Sequence, residues 1–301
     1  MEKDSENLTK KQIEKTRKAG QIVKQIKEEI KNWIKPKMPL LEIAEKIESR
    51  IMELGGKPAF PVNLGINENA AHYTPSYNDE TLANGLLKVD FGVHINGYAA
   101  DNSITFDLEN SDENKKLIKV SEEALKQAIE TFKKNPVLNK IGASVQKTAE
   151  ANKLSAIQNL SGHNIEQWEL HSGITIPNYD NANELELEEG VYAIEPFITK
   201  GEGKVYEGKP SGIYQVQRSG NVRDSKSREI LEYISENYRT LPFCSRWLVK
   251  KFGTRALISL KMIEDANITH QFPQLIEKSR EKVAQAEHTI IFHEGKVEIV
   301  T

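Results

Sequence analysis

Four acidic side chains interrupt apolar segments of this 301-residue chain, and they limit severely what it can fold into. Asp90 lies in LLKVDFGV, Asp101 in GYAADNSITF, Glu195 in VYAIEPFI and Glu287 in AEHTIIF, all strand-like stretches. An ionised carboxylate inside a protein costs several kcal/mol unless it is paired or bound to a cation. Four such intrusions from distant parts of the chain ask for strands that converge on a shared positive charge. Two divalent ions, held by these carboxylates and one histidine, His163, would answer all of them at once.

The segment carrying both aspartates can be read further. Asn96-Gly97 between two alternating apolar runs signals a tight type I′ hairpin. With those two residues as the loop, Ile95 faces Tyr98 and Asp90 faces Ser103. Asp101 is then the diagonal neighbour of Asp90 on one face, about 7–8 Å away with side chains able to converge. Carboxylates so placed can serve a metal pair about 3.5–4 Å apart.

Helical spacing marks Gln12–Ile34, the LLEIAEKIESRIMEL segment between Pro39 and Gly55-Gly56, residues 112–134, and GASVQKTAEANK. Strand-like segments are AFPVNLGIN, 155–160, 191–198 and the pair AEHTIIF and KVEIV joined by His293-Glu294-Gly295. Between about 225 and 268 the pattern turns helical again, in SKSREILEYISENY, FCSRWLVKKF and RALISLKMIEDA. This order predicts an α+β chain with a mostly antiparallel sheet and a late helical insertion, residues 215–274, within one domain spanning 1–301. No internal repeat is evident by eye.

Composition narrows the function. Lys+Arg of 41 against Asp+Glu of 44 leaves a net charge of −3, without the positive excess of a DNA-binding protein. The single Cys244 excludes an internal disulfide framework and fits a reducing, cytoplasmic setting. No signal-peptide core and no long apolar span suggest a membrane role. The basic residues Arg246, Lys250, Lys251 and Arg255 read as a solvated helix face, with a transient ribosomal RNA contact as the alternative.

The histidines divide. His163 and His171 are eight residues apart, too far for a helical zinc pair. His288 alternates with Glu287 and points to the opposite face. His94, His270 and His293 sit in or near turns and carry no catalytic expectation. His72 sits in the loop AAHYTP.

The segments AAHYTP, KVDFG, ADNSITF, SGHNIEQWELHSG, YAIEPF and AQAEHTI, in that order, resemble methionine aminopeptidase, from about residue 10 to the end. The 92-residue separation of Glu195 and Glu287, with LPFCSRWL inside it, resembles the type 2 subfamily; the short N-terminal region looks archaeal in style. Two positions depart from the family: Trp168 and Phe272 each stand where tyrosine is usual.

The resemblance implies the pita-bread fold, two pseudo-symmetric halves around an antiparallel sheet, and a monomer acting on the N-terminal Met peptides of nascent chains whose second residue is small. It implies that Asp90 chelates one metal ion, that Asp101 and Glu287 bridge two, and that His163 and Glu195 complete the other. The ions would be cobalt, manganese, iron or zinc, the oxygen-rich donor set favouring the harder three. Glu195 would also move protons, His72 and His171 would bond the substrate carbonyl and oxyanion, and Phe60 and Phe272 would line the methionine slot. A proline-specific peptidase of this fold would have a shorter gap between the glutamates and an extra N-terminal domain. A metal-free scaffold would have lost ligands.

Overall fold

The computed structural model describes residues 9–301. Two helix pairs organise it. Helix α1 (Lys10–Trp33) is followed by α2 (Leu40–Glu53), and α3 (Asp112–Lys134) by α4 (Leu138–Ala151). The lengths, 24 and 14 residues, then 23 and 14, repeat a long-short pattern that no sequence repeat announces. Local chemistry starts the long helices. Thr9 and Gln12 form a reciprocal capping box on α1, and the Ser111 side chain accepts from the Asn114 N–H on α3.

Each pair buries its apolar stripe on its own sheet region. Ile26, Ile30, Ile43 and Ile47 of α1 and α2 pack with Leu64, Leu87, Val89 and Phe91. Val120, Ala124, Ile141 and Val145 of α3 and α4 pack with Ile176, Tyr192, Ile194 and Ile290. These two cores are the halves of the pita-bread fold.

Strand pairing is antiparallel throughout the described residues. In the first half, strand Leu86–Asp90 lies between Asn63–Ile66 and Ser103–Asp107, and its hairpin continues as Val93–Ile95 with Tyr98–Ala100. In the second, the order is Thr175–Pro177, Ser161–Ile165, Gly190–Ile194, His288–His293, Lys296–Ile299. The hairpin register is the one its turn dictates: Ile95 pairs Tyr98 and Asp90 pairs Ser103.

Three strand expectations change; the 155–160 segment forms ladder only at Ser155–Ala156, before a turn at 158–159. The 191–198 run is broken at Glu195-Pro196, because proline offers no N–H to a ladder. AFPVNLGIN bends at Ala59-Phe60 and forms ladder only over Asn63–Ile66.

Strands Val205–Val216 and Thr269–Glu277 pair with each other. Between them lie α5 (Ser225–Asn237), α6 (Ser245–Phe252) and α7 (Ala256–Asp265), closed over a separate core of Ile230, Ile234, Phe243, Leu248 and Leu260. Arg246 corrects the reading of a solvated basic face. It is 2 % exposed and bonded to Glu48 of α2 at 2.7 and 2.8 Å, whereas Lys250, Lys251 and Arg255 are exposed. No helix of the described residues is long and apolar enough to cross a membrane.

Candidate active site

Backbone irregularity positions every acid of the cluster. Asp90 ends its strand, Asp101 follows Ala100 where the hairpin ladder is interrupted, Glu195 sits at the proline break, and Glu287 lies between strands Val283–Gln285 and His288–His293. His163 alone is mid-strand, paired with Ala193 and Thr175. A strand end or bulge releases a side chain from strict alternation, so residues from both halves can be aimed at one point.

They do meet. His163 Nε2 lies 3.7 Å from Asp101 Oδ2 and 3.5 Å from Glu195 Oε1. One ligand atom from each of Asp101, His163 and Glu287 falls within 4.8 Å of the others, and all three residues are buried. Ligands on opposite sides of an ion with bonds near 2.1 Å lie about 4.2 Å apart, so one cation can serve the group.

Electrostatics point the same way. Burial pushes Asp90 up to about 7. Asp101, Glu195 and Glu287 rise well above the carboxylate range, first from burial and then from one another's charge and that of Asp90. His163 is held well below its ordinary value by burial and by His171, so it stays neutral with a lone pair to offer. Asp90 Oδ1 and Glu287 Oε1 are buried and have no hydrogen-bond partner among the described residues. Orphaned carboxylate oxygens in a crowded anionic cluster are the signature of a cation site.

The cluster opens into a cavity of about 360 Å³, a size suited to one side chain and its adjoining peptide bond. Its wall includes His72, His171, Phe60 and Phe272, all singled out in the sequence. The His171 ring stands perpendicular to that of His163 with centroids 4.1 Å apart. His171 keeps an open edge at the mouth, yet the protein packed around it, then His72, lowers its pKa to about 4. His72 has a left-handed backbone (φ 60°) and its Nδ1 lies 3.2 Å from the Pro273 carbonyl. A carbonyl only accepts, so Nδ1 carries the proton and Nε2 of the neutral ring is an acceptor. Loss of hydration lowers the His72 pKa, which keeps the ring neutral, and the Pro273 carbonyl selects the tautomer.

Several residues were not legible beforehand. Gln285 Nε2 points at Asp90 Oδ2 (3.4 Å) and Glu195 Oε2 (3.3 Å), joining carboxylates from opposite halves. Its alternation with Glu287 was the available signal. Thr289 Oγ1 accepts from the Asp101 N–H at 2.7 Å and donates to the Asp101 carbonyl. Ile213, Pro242 and Leu275 add apolar wall. Of the 215–274 segment, Pro242 and Phe272 reach the cavity lining, from a loop and a strand rather than from α5–α7.

The profile of metallopeptidase family M24 matches residues 14–228. A methionine aminopeptidase of Methanocaldococcus jannaschii is 43% identical over 293 residues, covering 96% of this chain and 98% of that protein. One from Thermococcus kodakarensis is 42% identical, covering 94% and 97%. Among solved structures, the methionine aminopeptidase of Thermotoga maritima superposes with TM-score 0.70 at 22% identity, over 97% of each chain. A prolidase from Pyrococcus furiosus gives 0.61 at 17%, over 97% of this chain but 64% of that one. A thermophilic Arx1 gives 0.83 at 16%, over 97% and 91%. At such identities the structural matches speak for the fold alone.

Proposed function

The chain belongs to metallopeptidase family M24, and from that premise we propose a dinuclear metalloaminopeptidase that removes initiator methionine from chains with a small second residue. The observation that carries the metal reading is the pair of buried, partnerless oxygens on Asp90 and Glu287. Asp90 would hold one ion, Asp101 and Glu287 both, and His163 and Glu195 the other. Oxygen-rich ligation with one imidazole suits Mn(II), Fe(II) or Co(II), with Zn(II) also admissible. When bound, such ions act as Lewis acids on a carbonyl and bring the pKa of water towards about 7.

The chain's own residues supply the rest. Glu195 accepts the proton of the attacking water and returns it to the leaving amine, the bound cations keeping its carboxylate ionised. His171, neutral and open at the cavity mouth, donates to the carbonyl oxygen as it becomes an oxyanion. For His72 we infer a different part from the one the family resemblance implied. With Nδ1–H committed to Pro273, its Nε2 accepts from a peptide N–H rather than donating to the oxyanion. Phe60 and Phe272, with Ile213 and Pro242, form the slot for the methionine side chain, where each methylene contributes about 1–3 kcal/mol to discrimination. Lys250, Lys251 and Arg255 are the residues left for contact with ribosomal RNA, since Arg246 is inside.

Retention of all five ligands weighs against a metal-free scaffold. Hydrolysis of a Met-Ala-Ser peptide, measured before and after exhaustive chelation and again after adding Mn(II) or Co(II), tests the proposal. Activity should vanish and return. Turnover that survives chelation would sink it.

A further inference from the structure

Trp168 has a backbone that side chains of its kind rarely adopt (φ 65°). It sits between His163 and His171 in the chain and is held from three directions. Its N–H donates to the Gly97 carbonyl at 2.9 Å, at the tip of the hairpin that carries Asp90 and Asp101. Its ring lies directly on Gly97, where a Cβ would come within 2.5 Å of ring atoms, so only glycine admits it. His94 from the same hairpin meets the ring edge-on at 5.1 Å.

On the other side the contacts come from the segment after α5. The Arg239 guanidinium lies 4.4 Å from the ring centroid, and Thr240 Oγ1 donates to the Trp168 carbonyl. A guanidinium stacked on an indole face is a favourable contact that fixes both partners. Arg239, like Trp168, has a left-handed backbone (φ 55°). Trp168 also packs against the cluster containing Phe60, Leu170 and Leu241.

These neighbours lead straight to the cavity. Leu170 and His171 follow Trp168 by two and three residues and form one wall; Pro242 follows Thr240 by two and forms another; Phe60 lies at the apolar end. Trp168 thus joins the hairpin, the histidine loop and the α5–α6 connection through its backbone and its ring together. We propose that Trp168 is a positioning and specificity-determining residue, which sets the width of the apolar slot by locking the His171 wall against the Pro242 wall. This rests on the slot reading above. The indole fills the space between Gly97 and Arg239, and a smaller side chain there lets the two walls move apart.

The test is steady-state kinetics on metal-loaded wild type, Trp168→Ala, Trp168→Tyr and Arg239→Ala, with Met-Ala-Ser and Leu-Ala-Ser peptides and parallel metal analysis. Trp168→Ala should raise KM for the methionine peptide and cut the preference for methionine over leucine, each about tenfold, the scale of one methylene in an apolar slot. Metal content should stay at the wild-type level. Trp168→Tyr, which keeps a flat ring for Arg239, should restore both parameters to within about threefold, and Arg239→Ala should shift selectivity in the same direction as Trp168→Ala. Should Trp168→Ala fail to fold, Arg239→Ala carries the test, and unchanged selectivity there overturns the proposal. It is equally overturned if Trp168→Ala lowers kcat and metal content together while selectivity holds. A wild-type enzyme inactive on both peptides would instead defeat the aminopeptidase reading.

Discussion

Arg246→Met should destabilise the protein far more than the loss of an ordinary surface arginine. Arg246 is 2 % exposed and Glu48 5 %, and their bidentate bonds measure 2.7 and 2.8 Å. The guanidinium also donates from Nε to the Pro75 carbonyl at 3.0 Å. Once the arginine is gone, Glu48 keeps only neutral donors, the Trp247 indole N–H at 2.8 Å and the Val62 N–H at 3.3 Å. Removing one member of a buried pair costs about 3–5 kcal/mol, because the remaining charge is left inside. An exposed pair would cost about 0–1 kcal/mol. Urea denaturation of the metal-loaded protein, compared at equal slope, reads the difference. Glu48→Leu combined with Arg246→Met should recover much of the loss, since no lone charge then remains. A single-mutant cost below about 1 kcal/mol, or strictly additive costs in the cycle, would refute the reasoning.

Asp101→Asn should release bound metal and abolish turnover, whereas His171→Ala should keep its metal and lose about 10²–10³ in turnover, the usual cost of one oxyanion donor; elemental analysis beside kinetics separates the two. His72→Ala should also keep its metal, with slower turnover on peptides and no effect on metal titration. Asp90 makes a pH prediction for the chelated protein. Its folded pKa of about 7 exceeds the unfolded value, so the folded state binds the extra proton and stability falls as pH rises from about 4 to 7, by up to about 1.4 kcal/mol per pH unit. Chelated Asp90→Asn should therefore melt higher than chelated wild type at pH 7 and equal it at pH 4. A constant gap between the two across that range would contradict the assigned burial.

The hairpin shows how far local chemistry reaches. Asn96 and Gly97 both have positive φ, as the I′ turn requires, and that turn alone set the pairing of Asp90 with Ser103, each six residues from it on either side. The helices were equally readable, since a 3.6-residue apolar period and a cap are properties of neighbouring residues. Glu195 was recognised as an anomalous charge, but its release from the strand came from Pro196, whose missing N–H ends the ladder. Gln285 went unnoticed because an amide in a strand carries no cost that betrays it; its role exists only where Asp90 and Glu195 come together. Trp168 was visible as a departure from the family, not as a junction.

Arg246 was misread because charge on a helix is solvated by default, and nothing near it in the chain contradicts that. Its partner is 198 residues away. Here the division between the two levels of information is physical. A turn, a cap, or a carboxylate in an apolar run is settled by groups within a few residues, whose sterics and solvation the chain displays directly, and these alone determined the elements, the hairpin register and the demand for a cation. Which distant groups share a buried space was decided only when both halves and the insertion packed together. That includes the pairing of Glu48 with Arg246, the acceptor tautomer of His72 against Pro273, and the walls of the slot. Burial turns a weak charge contact into a strong one, and burial belongs to the packed whole.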